Sequence, residues 1–137
     1  VHADEMLFDL GAIGKGYALD QAVRILEQEG IQSAFLSAGE STLVGTGTQG
    51  WPVNLHLEEE RSLRLSGDAL SCSGFEVQGA HLMNPRTMEP LPVERRRCYV
   101  LAPTAALSDA LSTAFMIMSP AEVQDFLRSH PQVQQLI

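Results

Sequence analysis

A glycine-dense segment near the start of the chain has the composition of a phosphate-binding turn. Residues 11–16 read GAIGKG and include Lys15, the only lysine among 137 residues. Glycines let a ligand approach the backbone closely, and a helix that begins here offers unpaired N–H groups and the positive end of its dipole. Lys15 adds a cation that could meet a phosphate. The segment matches neither the Walker loop nor the dinucleotide-binding fingerprint, so a tight turn with a solvent-facing lysine is the alternative.

A carboxylate and a hydroxyl lie four residues apart later in the chain, at Asp109 and Thr113. On a helix this spacing places them on one face, one turn apart. Such oxygen ligands suit Mg²⁺ or Ca²⁺, with backbone carbonyls or water filling the remaining positions. The alternative is that Ser108 or Asp109 caps the helix and that Thr113 is incidental.

His81 opens the segment HLMNPRT at residues 81–87. A loop histidine can act as a general base because its ordinary pKa lies near neutrality. The alternative, and the commoner case, is a hydrogen-bonding residue of the loop. No serine lies in a G-x-S-x-G elbow, which excludes a hydrolase of that kind.

The elements that must position these residues follow from hydrophobic periodicity. We expect a strand over residues 6–10, a helix over 17–28 with Ala18, Ala22, Ile25 and Leu26 on its apolar face, and a strand over 31–36. Residues 37–50 are predicted as a loop and bend, followed by a hairpin of alternating strands with its acidic tip at 58–60. A strand over 69–72, a long ordered loop over 79–92 and a strand over 97–101 come next. An amphipathic helix over 107–118 and a second one ending near 128, which opens with a capping box at residues 119–122, complete the chain.

A helix, a run of strands and two further helices do not form a repeating βαβ pattern. The order predicts an α+β fold, a mainly antiparallel sheet with helices packed on one face, in a single domain over residues 1–137. The hydrophobic fraction of 45% excludes a disordered or fibrous protein. The net charge of −8 argues against nucleic acid or an anionic membrane as partner.

Five segments, taken in order, resemble the motif blocks of the ApbE family of FAD:protein FMN transferases. DLGAIGKGYALD at residues 9–20 resembles the family's DLGGIAKGYAVD, and SAGE at 37–40 stands where the family has NAGG. CSGFE at 72–76 resembles TSGxYE, HLMNPRT at 81–87 resembles HIIDPRT, and DALSTA at 109–114 resembles DALATA. Five blocks at compatible spacing are far more specific than any one of them.

The resemblance implies an ApbE-like (T-fold-like) fold and a reaction that moves FMN from FAD onto a threonine hydroxyl of a target protein, releasing AMP. It implies Mg²⁺ held by the side chains of Asp109 and Thr113 and the backbone carbonyls of Ala12 and Ser112. His81 is the candidate catalytic base beside the reacting phosphate. The residues implied in binding the flavin nucleotide are Ala12, Gly14, Lys15, Ser73 and His81.

The chain departs from the family pattern at Ser37, Glu40, Asn84 and Met88, which stand where the family has asparagine, glycine, aspartate and glycine. Family enzymes are also longer, so the fold is expected to be incomplete at its N-terminus. A companion N-terminal segment or a homo-oligomer would then complete the flavin pocket. These departures keep two alternatives open: a non-catalytic relative that binds FAD or a partner protein, and an FAD pyrophosphatase that uses the same metal site.

The family resemblance implies a location in the periplasm or cell envelope, and we expect any signal or anchor to lie upstream of Val1 rather than within this chain. A disulfide between Cys72 and Cys98 would fit an exported protein, and the sequence leaves that pairing open.

Overall fold

The computed structural model describes residues 8–57, 61–74, 82–92 and 97–136. These contain three helices, which are α1 (Gly14–Gln28), α2 (Ala105–Ile117) and α3 (Pro120–Ser129). The strands are β1 (Phe35–Ala38), β2 (Thr42–Gly45), β3 (Trp51–Leu55), β4 (Arg61–Leu65), β5 (Asp68–Gly74), β6 (Met83–Asn84), β7 (Glu89–Pro90), β8 (Arg97–Ala102) and β9 (Gln134–Leu136). None of the helices in these ranges is long and apolar enough to cross a membrane.

A five-stranded antiparallel sheet in the order β1-β2-β5-β8-β9 forms the centre of the fold. Its strands pair with neighbours throughout, with Thr42 opposite Ser71 and Ser71 opposite Val100 across the middle three strands. Two further hairpins, β3–β4 and β6–β7, stand apart from this ladder.

The two faces of the sheet are covered by different elements. Because side chains alternate along a strand, Cys98, Val100 and Ala102 of β8 point to one face and pack with residues of α2 and α3. Tyr99 and Leu70 point to the other face and pack against the β3–β4 hairpin. α1 lies on the helix side, where Leu19 packs with Val44, Ala69 and Ala105.

The predicted α+β class with a mainly antiparallel sheet and helices on one face is therefore confirmed. The hairpin that covers the opposite face was predicted as a pair of strands but not as a layer.

Several element predictions were wrong in detail. Residues 8–10 of the predicted first strand lie outside any strand, and α1 begins at Gly14 rather than at residue 17. On α1 the core contacts come from Gly16 and Leu19, while Ile25 of the predicted apolar face is 59% exposed. The reason is that α1 packs through a glycine against another backbone, so its largest side chains do not mark its buried face.

The strand boundaries show where short elements escape periodicity. The first paired strand is Phe35–Ala38, shifted from the predicted 31–36, and β2 lies inside the stretch predicted to bend. The hairpin β6–β7 lies inside the predicted loop, and β9 was not predicted. Strands of two to four residues contain too little alternation to be recognised from sequence.

Cys72 and Cys98 lie on opposite faces of the sheet. Cys98 opposes Ser73 in the β5–β8 register, so Cys72 is displaced by one residue and points the other way. Cys98 packs in the helix-side cluster and Cys72 beside the hairpin-side cluster. The side chains point apart, so the two cysteines do not form a disulfide with each other.

Candidate functional site

Asp109 is a nearly fully buried carboxylate, 4% exposed, in the second turn of α2. The helix begins earlier than predicted, because Thr104 is its N-cap and accepts a hydrogen bond from the Leu107 N–H at 3.3 Å. The capping alternative for Ser108 and Asp109 is therefore wrong. The Ser108 hydroxyl instead donates to the Val100 carbonyl at 2.6 Å, which ties α2 to β8.

Three groups from α1 and β2 surround the Asp109 carboxylate. Oδ2 accepts a hydrogen bond from the Gly16 N–H at 3.0 Å, and Oδ1 accepts one from the Thr42 hydroxyl at 3.4 Å. The Lys15 ammonium lies 3.8 Å from Oδ1. A buried carboxylate needs such donors and a cation to offset its lost hydration. The Lys15 side chain is 43% exposed, so it can meet a ligand from solvent while it neutralises Asp109.

A chain of hydroxyl groups links β5 to the same helix. The Ser73 hydroxyl shares hydrogen bonds with Ser112 at 2.8 Å and with Thr113 at 3.0 Å. The Ser112 hydroxyl donates to the backbone carbonyl of Asp109 at 2.9 Å. Ser73 is thus in direct contact with two other predicted site residues, Ser112 and Thr113. This series of hydroxyl groups ends at the backbone carbonyl of Asp109.

The N-terminal end of α1 carries the remaining predicted binding residues. Gly14 opens the helix, and its N–H donates to the Leu10 carbonyl at 2.7 Å. Ala12 lies exposed in the turn before it. The first turn of α1 contains no acidic residue of its own, and its Gly16 N–H donates to the Asp109 carboxylate, so the positive end of the helix dipole faces Asp109. The roles of Gly14 and of the Ala12 carbonyl stay predictions.

One buried hydroxyl in this region makes no hydrogen bond within the described parts of the chain. Ser71 is fully buried, and its Oγ has no partner there. It stands directly opposite Thr42 in the sheet and, like Ser73 two residues on, faces the helix layer. No group of three or more His, Cys, Asp or Glu side chains forms a metal-binding cluster among the residues that the structure covers.

His81, the candidate catalytic base, lies outside the described residues, so its role stays a prediction. Leu82 next to it is buried in the helix-side core cluster.

The structure shows the surroundings of three of the departures from the family pattern. The Asn84 side-chain oxygen accepts the N–H of Arg86 at 2.9 Å, a turn contact that the oxygen of an aspartate can also make. Met88 has a φ of 59°, the left-handed region that favours glycine. Glu40 is exposed in the β1–β2 turn, two residues before Thr42.

Sequence reasoning missed the contacts of Gly16 and Thr42 with Asp109, and it missed the buried Ser71 opposite Thr42. A glycine inside the first turns of a helix is a usable signal for close packing, because glycine lowers helix stability and needs a reason to be there. Thr42 and Ser71 carry no such signal, since only the sheet register brings them to one face.

The profile of the ApbE family matches residues 1–137. The FAD:protein FMN transferase of Klebsiella pneumoniae (strain 342) is 30% identical over 142 residues, covering 90% of this chain and 40% of that protein. The FAD:protein FMN transferase of Rhodobacter capsulatus is 37% identical over 125 residues, covering 80% of this chain and 24% of that protein. The chain thus spans about 40% or less of the length of these curated relatives.

Solved structures share the fold. The apo form of the flavinyl transferase ApbE of Pseudomonas stutzeri aligns with a TM-score of 0.76 at 23% identity, covering 87% of this chain and 41% of that one. The ApbE protein of Thermotoga maritima aligns with a TM-score of 0.69 at 26% identity, covering 94% and 47%.

Proposed function

Because this chain belongs to the ApbE family, we propose that it provides the metal-binding part of an enzyme that transfers FMN from FAD to a protein. The observation that carries the proposal is the buried Asp109 carboxylate, held by Gly16 and Thr42 beside the Lys15 ammonium. Burying a carboxylate is costly, and packing alone does not require one at this position.

The donor set around Asp109 fits a hard divalent cation such as Mg²⁺. Oδ1 has its two neighbours at the long distances of 3.4 and 3.8 Å, so it retains lone pairs for a further partner. Opposite Thr42 in the sheet, the buried hydroxyl of Ser71 also lacks a hydrogen bond within the described ranges. We propose that Asp109 and Thr113, with the backbone carbonyls of Ala12 and Ser112, hold Mg²⁺. When bound, the ion would neutralise charge on the pyrophosphate of FAD.

The protein's own groups do the positioning. The Lys15 ammonium would bind phosphate oxygens, and Gly14 would let the nucleotide approach the backbone. The hydroxyl chain from Ser73 to Thr113 fixes the side chains on α2, so little reorganisation is needed when the substrate binds. Phosphoryl transfer depends mainly on such positioning and charge neutralisation.

We propose that the acceptor is a threonine hydroxyl of a second protein. Its oxygen attacks the phosphorus of the FMN half of FAD, the bond to the AMP phosphate breaks, and AMP leaves. His81 is the proposed base that takes the hydroxyl proton. A water molecule in place of the threonine would give FMN and AMP instead, which is the pyrophosphatase alternative.

A further polypeptide is proposed to complete the flavin pocket. The chain spans 40% of the Klebsiella pneumoniae relative. Three large apolar side chains before and at the start of α1 are exposed: Phe8 (77%), Leu10 (63%) and Tyr17 (59%). Apolar side chains clustered at one end of a site are typical of a covered surface. A companion segment is the favoured occupant and a second copy of the chain the other. The periplasm or cell envelope stays the proposed location, supported by the family resemblance alone.

The test of the proposal is a transfer assay. The protein is incubated with FAD, Mg²⁺ and a threonine-containing acceptor protein, with and without the complementary segment of a relative. Intact mass then reports FMN on the acceptor, and chromatography reports AMP. Asp109→Asn is expected to abolish both signals, whereas Asp125→Asn, an exposed carboxylate on α3, is the matched control and retains them. AMP without acceptor modification would replace transfer by FAD hydrolysis, and no turnover in any mixture would contradict the enzymatic proposal.

A further inference from the structure

A carboxylate of α1 caps the N-terminus of α2. Asp20 Oδ1 accepts the Ala105 N–H at 2.8 Å and Oδ2 accepts the Ala106 N–H at 2.9 Å. Asp20 and Ala105 are 85 residues apart in sequence. One half-buried side chain therefore satisfies two of the four N–H groups that a helix start leaves unpaired, and it places a negative charge at the positive end of the dipole.

Gly16, one turn before Asp20, brings the two helix backbones into contact. A Cβ at Gly16 would lie 2.1 Å from the Ala105 carbonyl oxygen, and the Gly16 N–H donates to Asp109. α1 thus contacts α2 at three residues, Ala105, Ala106 and Asp109, all within the first two turns of α2. A change in the register of α1 on α2 would move all three contacts together.

We propose that Asp20 is a positioning residue for the metal site: it fixes the register of α1 on α2 and so holds the Gly16 N–H and the Lys15 ammonium against the Asp109 carboxylate. Asp20 contacts the α2 backbone, and its effect on the site passes through the helix pair. Its consequence for Mg²⁺ rests on the proposed function, while its consequence for the Gly16 hydrogen bond does not.

Besides capping α2, Asp20 links this helix to α1. α2 already has a local N-cap, Thr104, which accepts from the Leu107 N–H at 3.3 Å. A cap from a distant helix adds something that a local cap cannot: it couples the position of one helix to the other. Thr104→Ala therefore makes a matched control, since it removes a cap from the same helix without touching α1.

The experiment compares Asp20→Asn with Thr104→Ala in the whole chain. Amide hydrogen exchange followed by NMR reports the protection of the Gly16 N–H relative to amides in the centre of the sheet. Titration with Mg²⁺ alone, read from the Gly16 and Lys15 amide shifts, reports metal affinity. Both variants are expected to lower the thermal midpoint, because each removes a helix cap. Asp20→Asn alone is expected to speed Gly16 exchange selectively and to weaken Mg²⁺ binding about tenfold, the usual scale for residues that orient a metal ligand.

The outcomes separate the possibilities. If Gly16 exchange in Asp20→Asn matches that in Thr104→Ala, after correction for stability, the positioning role is overturned. If Gly16 exchange responds but the unmodified protein does not bind Mg²⁺, the positioning role stands and the metal proposal fails. Should Asp20→Asn not fold, Asp20→Glu keeps the charge but lengthens the side chain. A positioning role still predicts faster Gly16 exchange there, and exchange at the wild-type rate overturns it.

Discussion

Replacing Gly16 by alanine tests how closely α1 and α2 must pack. The new Cβ would lie 2.1 Å from the Ala105 oxygen and 2.4 Å from the Ala105 carbonyl carbon. These are backbone atoms of a helix, so no side-chain rotation can relieve the clash. Ordinary contact begins at 3.4 Å, which requires the helices to separate by about 1.3 Å at this point. That separation would also stretch the hydrogen bond from Gly16 to Asp109.

The expected change in the free energy of unfolding is the sum of two costs and one gain. Overpacking costs about 1–3 kcal/mol, and losing a hydrogen bond to a buried carboxylate costs about 1.5–3 kcal/mol. Alanine returns about 1 kcal/mol through its higher helix propensity. The free energy of unfolding is therefore expected to fall by about 3 kcal/mol, which lowers the thermal midpoint of a chain of this size by roughly 10 °C.

Gly14→Ala is the matched control two residues earlier on the same helix. A Cβ there meets only the Leu10 Cβ at 3.4 Å, an ordinary contact. We expect Gly14→Ala to be neutral or slightly stabilising. Urea unfolding and thermal denaturation of the two variants measure the difference. Equal stability of Gly16→Ala and Gly14→Ala would refute the close approach of the helices and, with it, the way Asp109 is held.

Three further predictions concern the departures from the family pattern and the link between α3 and the β6–β7 hairpin. Met88→Gly should raise the free energy of unfolding by about 0.5–1 kcal/mol, because glycine adopts the left-handed conformation of this residue without strain. The control Met83→Gly in β6 should lower the free energy of unfolding, and equal effects of the two variants in urea unfolding would refute the prediction. The Arg86 guanidinium, together with the Ser119 backbone and hydroxyl, lowers the pKa of Glu122 from 4.5 to about 2. The contribution of Glu122 to the free energy of unfolding is present above about pH 4.5 and is lost as the pH falls toward 2. Glu122→Gln should therefore remove this part of the loss of stability in acid. An unchanged pH dependence of stability would contradict the ion pair between Arg86 and Glu122. Glu40→Gln should tighten FAD binding in a salt-dependent way, since it removes a negative charge two residues from Thr42, and equal affinity for wild type and variant would argue against repulsion by Glu40.

The elements with strong local signals were predictable from the sequence. The capping box at Ser119 and Glu122 marks the start of α3, and both of its hydrogen bonds form in the structure. The alternation in β3 and β4 identified the hairpin, and the periodicity of α2 identified the helix that carries Asp109. In each case the signal and the structure it specifies lie within about a dozen residues.

The surroundings of Asp109 were not predictable, because they are assembled from distant segments. Gly16 and Thr42 lie 93 and 67 residues away from Asp109 in sequence. Thr42 reaches it only because β2 pairs with β5, and β2 is too short to show a clear alternation. Residue type and spacing supplied Asp109, Lys15 and Thr113 as candidates and the family resemblance gave them roles, whereas the hydrogen bonds that hold the carboxylate came only from the fold.

The most direct test of the proposed metal and flavin site is a fluorescence titration of FAD with and without Mg²⁺. It is carried out on the wild-type chain, on Asp109→Ala and on the exposed control Asp125→Ala. We expect Mg²⁺ to strengthen FAD binding in the wild type and in the control, and to have no effect in Asp109→Ala, provided that its circular dichroism shows the native fold. Mg²⁺-dependent binding that survives in a folded Asp109→Ala variant would contradict the proposed site.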